Sequence, residues 1–264
     1  MKYCIDFKKH FMYLDEIDEL KITIKEDSKT SPLFFMSTYS NKRIILDIEK
    51  MNENLLKDLA AARKEHPEWR FTACVHEADN HWVPRLVDAN IPFFFQTYVN
   101  NWDTLQGFLS VGVSDMYITE TLGFELDKVS ALLKPAGIQI RVFPNVAQSS
   151  SGITPSLLSF FVRPEDVPVY EEFVDIFEFY GTTEQQETFY RIYAKDKKWY
   201  GNLREMIIGF NDNLDSRFII PVFGSKRIKC GKKCFKGSSC KICTRLQSMS
   251  ETLKDKGLMI KIPN

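Results

Sequence analysis

Residues 114–145 constrain the fold more than any other stretch of the sequence. They begin with an apolar, strand-type run (SDMYITE) and continue into a segment with helical apolar spacing that ends at Pro135 and Gly137. An alternating, β-branched run (IQIRVFPN) follows directly. Because the linkers are so short, this strand, helix and strand are expected to form a right-handed parallel crossover.

The same unit recurs along the chain and predicts a parallel sheet covered by helices. Further strands are predicted at 43–50, 70–77, 91–99, 158–166 and 175–181. Helices lie between the strands, which recur roughly every 22–25 residues. This even spacing favours an α/β fold of the TIM-like or incomplete parallel barrel type. A flavodoxin-like or Rossmann sheet is the alternative, although the sequence contains neither G-x-G-x-x-G nor a P-loop.

The sequence divides into three parts. Residues 1–42 are the least regular, and we expect two short strands there that form an N-terminal hairpin or lid. Residues 43–209 are expected to form the barrel-like domain, ending in a long helix over 182–209 that breaks near Tyr200–Gly201. Residues 210–264 are expected to form a C-terminal extension that carries a metal site.

Composition narrows the class of protein. The chain has 264 residues and balanced charge, with 35 basic and 35 acidic side chains. The overall charge therefore points neither to nucleic acid nor to a membrane. The absence of an apolar run of about 18 residues and of a signal-peptide pattern predicts a cytoplasmic protein. In a reducing compartment, clustered cysteines are more often metal ligands than disulfides.

Four cysteines near the C-terminus predict a metal site. Cys230, Cys234, Cys240 and Cys243 have the spacing C-x3-C-x5-C-x2-C, with glycines between them that allow tight turns. Four thiolates can surround one tetrahedral Zn²⁺ or hold a [4Fe–4S] cluster. Free thiols or two local disulfides are the alternatives. We expect zinc, with the iron–sulfur cluster as the second choice.

The same region is strongly basic. The stretch Lys226–Arg245 contains lysines and arginines but no acidic residue. Such a basic metal knuckle is expected to contact RNA phosphate. Alternatively, the charges keep a small loop with little core in solution.

Polar residues at the predicted strand ends are the candidate site residues, because functional groups in parallel α/β folds gather at that edge. We expect catalytic roles for His76, Glu77 and Glu120. We expect substrate-binding roles for Gln96, Tyr98, Asn145, Arg163 and Tyr180. A structural role for His76 and Glu77 is the alternative, because His76 and His81 are five residues apart and do not share a helix face.

Two segments resemble the collagenase-like peptidase family. Residues 163–199 (RPEDVPVYEEFVDIFEFYGTTEQQ and the aromatic-rich helix that follows) are similar to the late barrel segment of that family, and residues 112–129 to its middle strand and helix. The resemblance implies a TIM-like or incomplete barrel. The family includes peptidase-type members and proteins of RNA and ubiquinone hydroxylation, some with a four-Cys iron–sulfur cluster.

This chain departs from the family at two points. The strand that typically ends in Glu-Gly-Arg ends here in Tyr180-Gly181-Thr182, and the four cysteines form one compact loop. The polar residues at the strand ends, together with the resemblance, favour a barrel enzyme that acts on a peptide or RNA. The missing Glu-Gly-Arg favours the alternative, a non-catalytic binding or assembly protein whose zinc knuckle stabilises the C-terminus or docks a protein partner.

Overall fold

The fold is that of a computed structural model, which describes residues 1–8, 10–26, 30–147, 159–210, 216, 223–228 and 230. Its centre is a nine-stranded sheet in which every pairing is parallel. The strands are β1 Lys2–Asp6, β2 Glu19–Ile24, β3 Arg43–Ile48, β4 Arg70–Val75, β5 Phe93–Phe95, β6 Tyr98–Val99, β7 Asp115–Ile118, β8 Gln139–Val142 and β9 Ile176–Phe179. Their order is β5-β4-β3-β2-β1-β9-β8-β7-β6.

Helices connect the strands. They are α1 Pro32–Thr38, α2 Glu53–Glu65, α3 Val83–Asp88, α4 Trp102–Ser110, α5 Glu120–Gly123, α6 Leu126–Leu133, α7 Val167–Tyr170, α8 Thr183–Tyr190, α9 Leu203–Met206 and α10 Phe223–Ile228. Short 3-10 turns lie at Leu14–Glu16, Glu77–Trp82 and Pro164–Asp166, and a π-helical turn at Arg191–Asp196. No helix in these described ranges combines the length and apolar character that crossing a membrane requires.

The sheet is open but strongly curled, which gives it a barrel-like shape. Its two end strands, β5 and β6, belong to one stretch of chain and are separated only by Gln96 and Thr97. The backbone N–H of Ser114, next to β7, donates to the carbonyl of Phe93 on β5 at 2.8 Å. Across the concave face, Arg43 on β3 contacts Asp115 on β7 at 2.6 Å. The predicted parallel, barrel-like α/β architecture is confirmed at this level.

The first 42 residues do not form the expected hairpin or lid. Strands β1 and β2 are parallel neighbours inside the sheet, and β1 also pairs with β9. The second predicted strand of this segment is helix α1 instead. Ser31 caps this helix by accepting a hydrogen bond from the N–H of Leu33 at 3.3 Å, and Pro32 occupies the first turn, where a missing N–H has no consequence.

The strand predicted at 158–166 is also wrong for the residues described there. Strand β8 pairs directly with β9, with Arg141 opposite Ile176, so no place remains between them. The apolar character of this segment reflects burial beside the sheet, where Phe160, Phe161 and Val162 are fully buried. A 3-10 turn follows at Pro164–Asp166. An apolar run of this length reports burial and does not distinguish a strand from buried irregular chain.

Helix boundaries follow local capping signals. The side chain of Asn52 accepts from the N–H of Leu55 at 2.9 Å and starts α2, as predicted. Thr182 and Gln185 form a reciprocal capping box at α8. The long helix predicted over 182–209, with a break near Tyr200–Gly201, is interrupted slightly earlier. It ends at Asp196, because Lys197 adopts a left-handed conformation with φ 51°, and α9 begins at Leu203.

Candidate functional site

Charged side chains fill the concave face of the curled sheet. On β3, the aliphatic Ile44, Leu46 and Ile48 are buried on the convex side, while Arg43 and Asp47 point into the concave side. The other strands repeat this alternation, as expected for side chains with a period of two. The concave face carries Glu19, Lys21, Arg43, Asp47, Asp115, Tyr117, Arg141 and Glu178.

Arg141 lies at the centre of this face and is fully buried. Its guanidinium donates to Glu19, to Asp115 at 2.9 Å and to Glu178 at 2.9 Å. It also lies over the ring of Phe94, 5.1 Å from the ring centroid. Carboxylates from three different strands thus meet at one cation, which ties the two halves of the sheet together.

Arg43 forms a second node toward the N-terminal ends of the strands. It donates to Asp115 at 2.6 Å, to Glu19 at 3.2 Å and to the Thr72 hydroxyl at 2.7 Å. Burial alone would raise the pKa of Asp115, but Arg141 and Arg43 outweigh burial and hold the pKa below its ordinary value. Asp115 is therefore a structural anion.

Lys21 forms a third node toward the C-terminal ends of the strands. Its ammonium lies 3.2 Å from Glu178, 3.3 Å from the Tyr117 hydroxyl and 3.7 Å from Asp47. Burial alone would lower the pKa of Lys21, but the carboxylates outweigh burial and hold this pKa well above its ordinary value. Lys21 is therefore a fixed positive charge, and neither an amine nucleophile nor a base.

The carboxylate of Glu178 is likewise fixed in position and in charge. Its carboxylate accepts from Tyr117 at 2.7 Å as well as from Lys21 and Arg141. Burial would raise the pKa of Glu178, but Lys21 and Arg141 lower it overall. Glu178 thus remains ionised and orients the cations around it.

Asp47 differs from the other carboxylates of this face. Burial raises its pKa above the ordinary value of 3.8, and the charges of Lys21 and His76 only partly oppose this. One carboxylate oxygen accepts from the Gln96 amide at 3.3 Å. The side chain keeps 13% of its exposure, so water reaches it. Asp47 is the carboxylate best suited to exchange a proton.

A cavity of about 480 Å³ opens above these groups at the C-terminal ends of the strands. We call it the rim pocket. Its floor and walls include Lys21, Asp47, Gln96, Tyr98, Tyr117, Phe143, Glu178 and Tyr180, and Asp6 and Lys8 lie at one side. The rings of Tyr98 and Tyr180 are 52% and 59% exposed, which leaves their faces available to a ligand. The volume is typical of a small-ligand site.

The predicted substrate-binding residues separate into two groups. Gln96, Tyr98 and Tyr180 line the rim pocket. Asn145 is buried and holds the backbone of Tyr180 from both sides, donating to its carbonyl at 2.8 Å and accepting from its N–H at 3.2 Å. Arg163 pairs in two hydrogen bonds of 2.7 Å with Asp166, and the described rim pocket does not include it.

The predicted catalytic residues do not come together as one site. His76 is half-buried at the end of β4 and acts electrostatically on Asp47. Glu77 is exposed and lines a separate groove with Phe95 and Phe108. Glu120 begins α5, and the placement of its side chain lies outside the described residues.

Sequence reasoning missed Lys21, Asp47, Tyr117 and Glu178. Each is a polar residue inside a strand whose residues on the opposite face are apolar, as for Asp47 in RIILDI and Glu178 in IFEF. An isolated charge at an inward parity of a buried strand is the signal that could have revealed them. The strand-end rule alone selects residues one or two positions further on.

Most of the predicted metal knuckle lies outside the described residues. Cys230 is half-buried and packs against the core, whereas Cys234, Cys240 and Cys243 are not described. Among the residues that are described, no group of three or more Cys, His, Asp or Glu side chains is arranged to hold a metal ion. Cys4 and Cys74 are buried thiols, and burial raises the pKa of both, so they are unreactive.

The basic stretch is described only at its start. Arg227 is buried, lies over the ring of Phe161 at 4.3 Å and donates to the carbonyl of Phe161 at 3.1 Å. This arginine therefore anchors α10 to the core. It does not contribute to the surface that was expected to contact RNA.

Comparison of the chain with protein-family models and with curated proteins gives no match. The resemblance to the collagenase-like peptidase family accordingly stays a prediction from the sequence.

Proposed function

We propose that the rim pocket is the active site of a barrel enzyme that hydrolyses a peptide substrate. The observation that carries this proposal is Asp47, a carboxylate of raised pKa that water can reach, held beside the fixed ammonium of Lys21. Groups of this kind at the C-terminal edge of a parallel sheet are typical of catalytic centres.

In the proposed reaction, Asp47 moves the proton and Lys21 supplies the charge. The Asp47 carboxylate takes a proton from a water molecule whose oxygen attacks the peptide carbonyl carbon. The ammonium of Lys21 stabilises the negative charge that develops on the carbonyl oxygen. Asp47 then passes the proton to the leaving nitrogen as the C–N bond breaks, which yields a carboxylic acid and an amine.

The charges of the pocket favour a peptide over RNA. Its lining carries the carboxylates Asp6, Asp47 and Glu178, whereas the described cations are Lys8 and Lys21. Lys8 pairs with Asp6 at 2.9 Å, and Lys21 lies 3.2 Å from Glu178 and 3.7 Å from Asp47, so the lining carries one more carboxylate than it carries cations. A phosphate diester would be repelled there, while a neutral peptide or a peptide ammonium would not. The exposed rings of Tyr98 and Tyr180 offer flat surfaces for peptide planes.

The test is cleavage of a mixed peptide library, followed by mass spectrometry, with the wild-type chain and two variants. Asp47→Asn keeps the shape of the side chain and removes the base, so we expect kcat/KM to fall at least about 100-fold. Asp58→Asn changes an exposed carboxylate on α2 and serves as the control, with unchanged activity expected. The two variants should unfold at the wild-type temperature.

Two results would contradict the proposal. Cleavage by Asp47→Asn at the wild-type rate would remove Asp47 from the chemistry. Peptide binding in the rim pocket without any cleavage by the wild-type chain would support the non-catalytic binding protein, an alternative that the replacement of Glu-Gly-Arg by Tyr180-Gly181-Thr182 favours.

We keep the metal and RNA predictions as separate proposals. They concern the C-terminal extension and do not depend on the rim pocket. We propose that Cys230, Cys234, Cys240 and Cys243 hold Zn²⁺, or alternatively a [4Fe–4S] cluster. What supports this is their spacing within fourteen residues, from 230 to 243. RNA contact by the stretch Lys226–Arg245 rests on its charge alone.

A further inference from the structure

A second cavity, of about 520 Å³, lies beside the rim pocket at the ends of β1, β2 and β3. The two cavities share Asp6 and Lys8 as lining residues. They are therefore neighbours along the same edge of the sheet. We call the second cavity the side pocket.

The partition between the two pockets is weak. The two residues common to both linings, Asp6 and Lys8, form a salt bridge of 2.9 Å between side chains that are 30% and 64% exposed. Exposed ion pairs of this kind contribute little free energy, and a lysine side chain moves easily. A ligand that displaces Lys8 would find one continuous groove.

The side pocket has the chemistry of a site for one more residue of an extended chain. The rings of Phe7 and Phe35 supply an apolar wall, and Phe7 is steadied by an edge-to-face contact with Tyr39 at 5.4 Å. At the outer end, Lys25 and Glu49 form a salt bridge of 3.4 Å. Both side chains are exposed and line the side pocket, so they lie within reach of the terminal groups or side chains of a ligand there.

We propose that the side pocket is a second substrate subsite, which binds the residues of an extended peptide adjacent to those held in the rim pocket. This inference rests on the proposed function, because it takes a peptide as the occupant of the rim pocket. An extended chain advances about 3.3 Å per residue, so a peptide of five residues spans roughly 16 Å, and the two pockets it would occupy share the lining residues Asp6 and Lys8. The apolar wall selects for a leucine-like side chain there.

The test measures the binding of two unblocked peptides, Ala-Leu and Ala-Leu-Ala-Leu-Ala, by calorimetry. The full chain carries Asp47→Asn so that neither peptide is cleaved. We expect the pentapeptide to bind about tenfold more tightly than the dipeptide, because it fills both pockets. Tyr98→Ala, in the rim pocket, should weaken the binding of both peptides.

Variants in the side pocket should affect the longer peptide alone. Phe35→Ala and Lys25→Ala are each expected to lower the affinity for the pentapeptide and to leave the dipeptide unchanged. Lys50→Ala is the matched control. Lys50 pairs with Glu26 at 3.3 Å much as Lys25 pairs with Glu49, but it does not line the side pocket.

The outcomes separate the subsite from the function beneath it. Equal affinity for the two peptides, or loss of pentapeptide affinity in Lys50→Ala as large as in Lys25→Ala, would overturn the subsite and leave the rim pocket standing. Lys25→Ala preserves the core, so it decides the matter even where Phe35→Ala folds poorly. Failure of both peptides to bind would overturn the subsite together with the peptide assignment.

Discussion

At the residue scale, the buried cation of Arg141 allows three carboxylates to lie on the concave face of the sheet. A fully buried guanidinium is costly to desolvate, and it is retained here because Glu19, Asp115 and Glu178 surround it. These carboxylates in turn depend on Arg141 for their charge balance. Removing the cation would leave several buried anions facing each other.

We therefore expect Arg141→Met to destabilise the protein by about 3–5 kcal/mol, the range found when one member of a buried ion pair is removed. The measurement is the free energy of unfolding in urea. Arg85→Met is the control, because Arg85 pairs with Glu53 on the surface and its loss should change stability little. Equal effects of the two substitutions would show that the buried network does not hold the sheet.

At the level of secondary structure, helix α8 holds one edge of the rim pocket in place. Its Gln186 is 1% exposed and accepts from the backbone N–H of Asp6 at 2.9 Å, while its amide donates to the carbonyl of Gly181 at 2.9 Å. One buried amide thus ties the end of β1 to the turn after β9. Both segments contribute side chains to the rim pocket.

Gln186→Ala should loosen this edge more than it weakens the fold. The backbone groups it leaves unpaired predict a loss of about 1–3 kcal/mol in unfolding free energy. Peptide affinity should fall as well, because Asp6 and the turn at Gly181, which both line the rim pocket, lose their fixed positions. Gln106→Ala, at an exposed position of α4, is the control for both measurements. Unchanged peptide affinity in a folded Gln186→Ala protein would show that the clamp has no positioning role.

Elements with local signals were predictable from the sequence, and elements without them were not. Asn52 marks the start of α2 through one side-chain hydrogen bond, and such signals require no knowledge of the rest of the chain. Strand β2 carries inward charges, which made residues 18–27 read as one half-exposed strand of a hairpin, and β1 was not predicted as a strand at all. Their true place depends on β9, whose partner residues are far away in the sequence.

In the candidate site as well, some features were predictable from local sequence and others were not. Gln96, Tyr98 and Tyr180 could be predicted because the strand-end rule needs only the strand boundaries. Asp47 and Glu178 stand out in the sequence as charges inside buried strands, but their contacts could not be predicted, because these contacts depend on the curl of the sheet. That curl brings Glu178 to Lys21, 157 positions away, and gives Asp47 the same cation. No local pattern encodes such a contact.

At the scale of the whole molecule, the buried carboxylates make stability depend on pH. The pKa values of Asp115 and Glu178 lie below their ordinary values of 3.8 and 4.5. The unfolded chain therefore takes up protons before the folded protein does, and acid favours unfolding. Their contribution to stability is present above these ordinary values and is lost as the pH falls through the lowered ones.

We expect the urea midpoint to hold between pH 7 and pH 5 and to fall steadily below about pH 4.5. Asp47 affects stability in the opposite direction. Because its pKa is raised in the folded protein, its ionised form slightly lowers the free energy of unfolding at pH 7. Asp47→Asn should therefore be at least as stable as the wild type at pH 7. A midpoint that stays level down to pH 3 would contradict the charged network.

The C-terminal extension supplies a prediction that does not depend on the rim pocket. Metal analysis of the purified chain should give about one Zn²⁺, or iron and sulfide with absorbance near ~400 nm if a cluster is present. Cys240→Ser should lower the metal content and the unfolding temperature. Unchanged metal content in that variant would remove the four-cysteine site.

Measuring the pKa of Asp47 tests most directly the central claim, that this carboxylate transfers a proton in the rim pocket. A carbon-detected NMR titration of the side-chain carboxyl groups, with the Asp47 signal assigned by its absence in Asp47→Asn, follows this one residue. The account predicts a titration midpoint for Asp47 above 3.8, and a midpoint for Asp115 below 3.8. An Asp47 midpoint at or below that of Asp115 would make Asp47 one more fixed anion and would contradict its role in proton transfer.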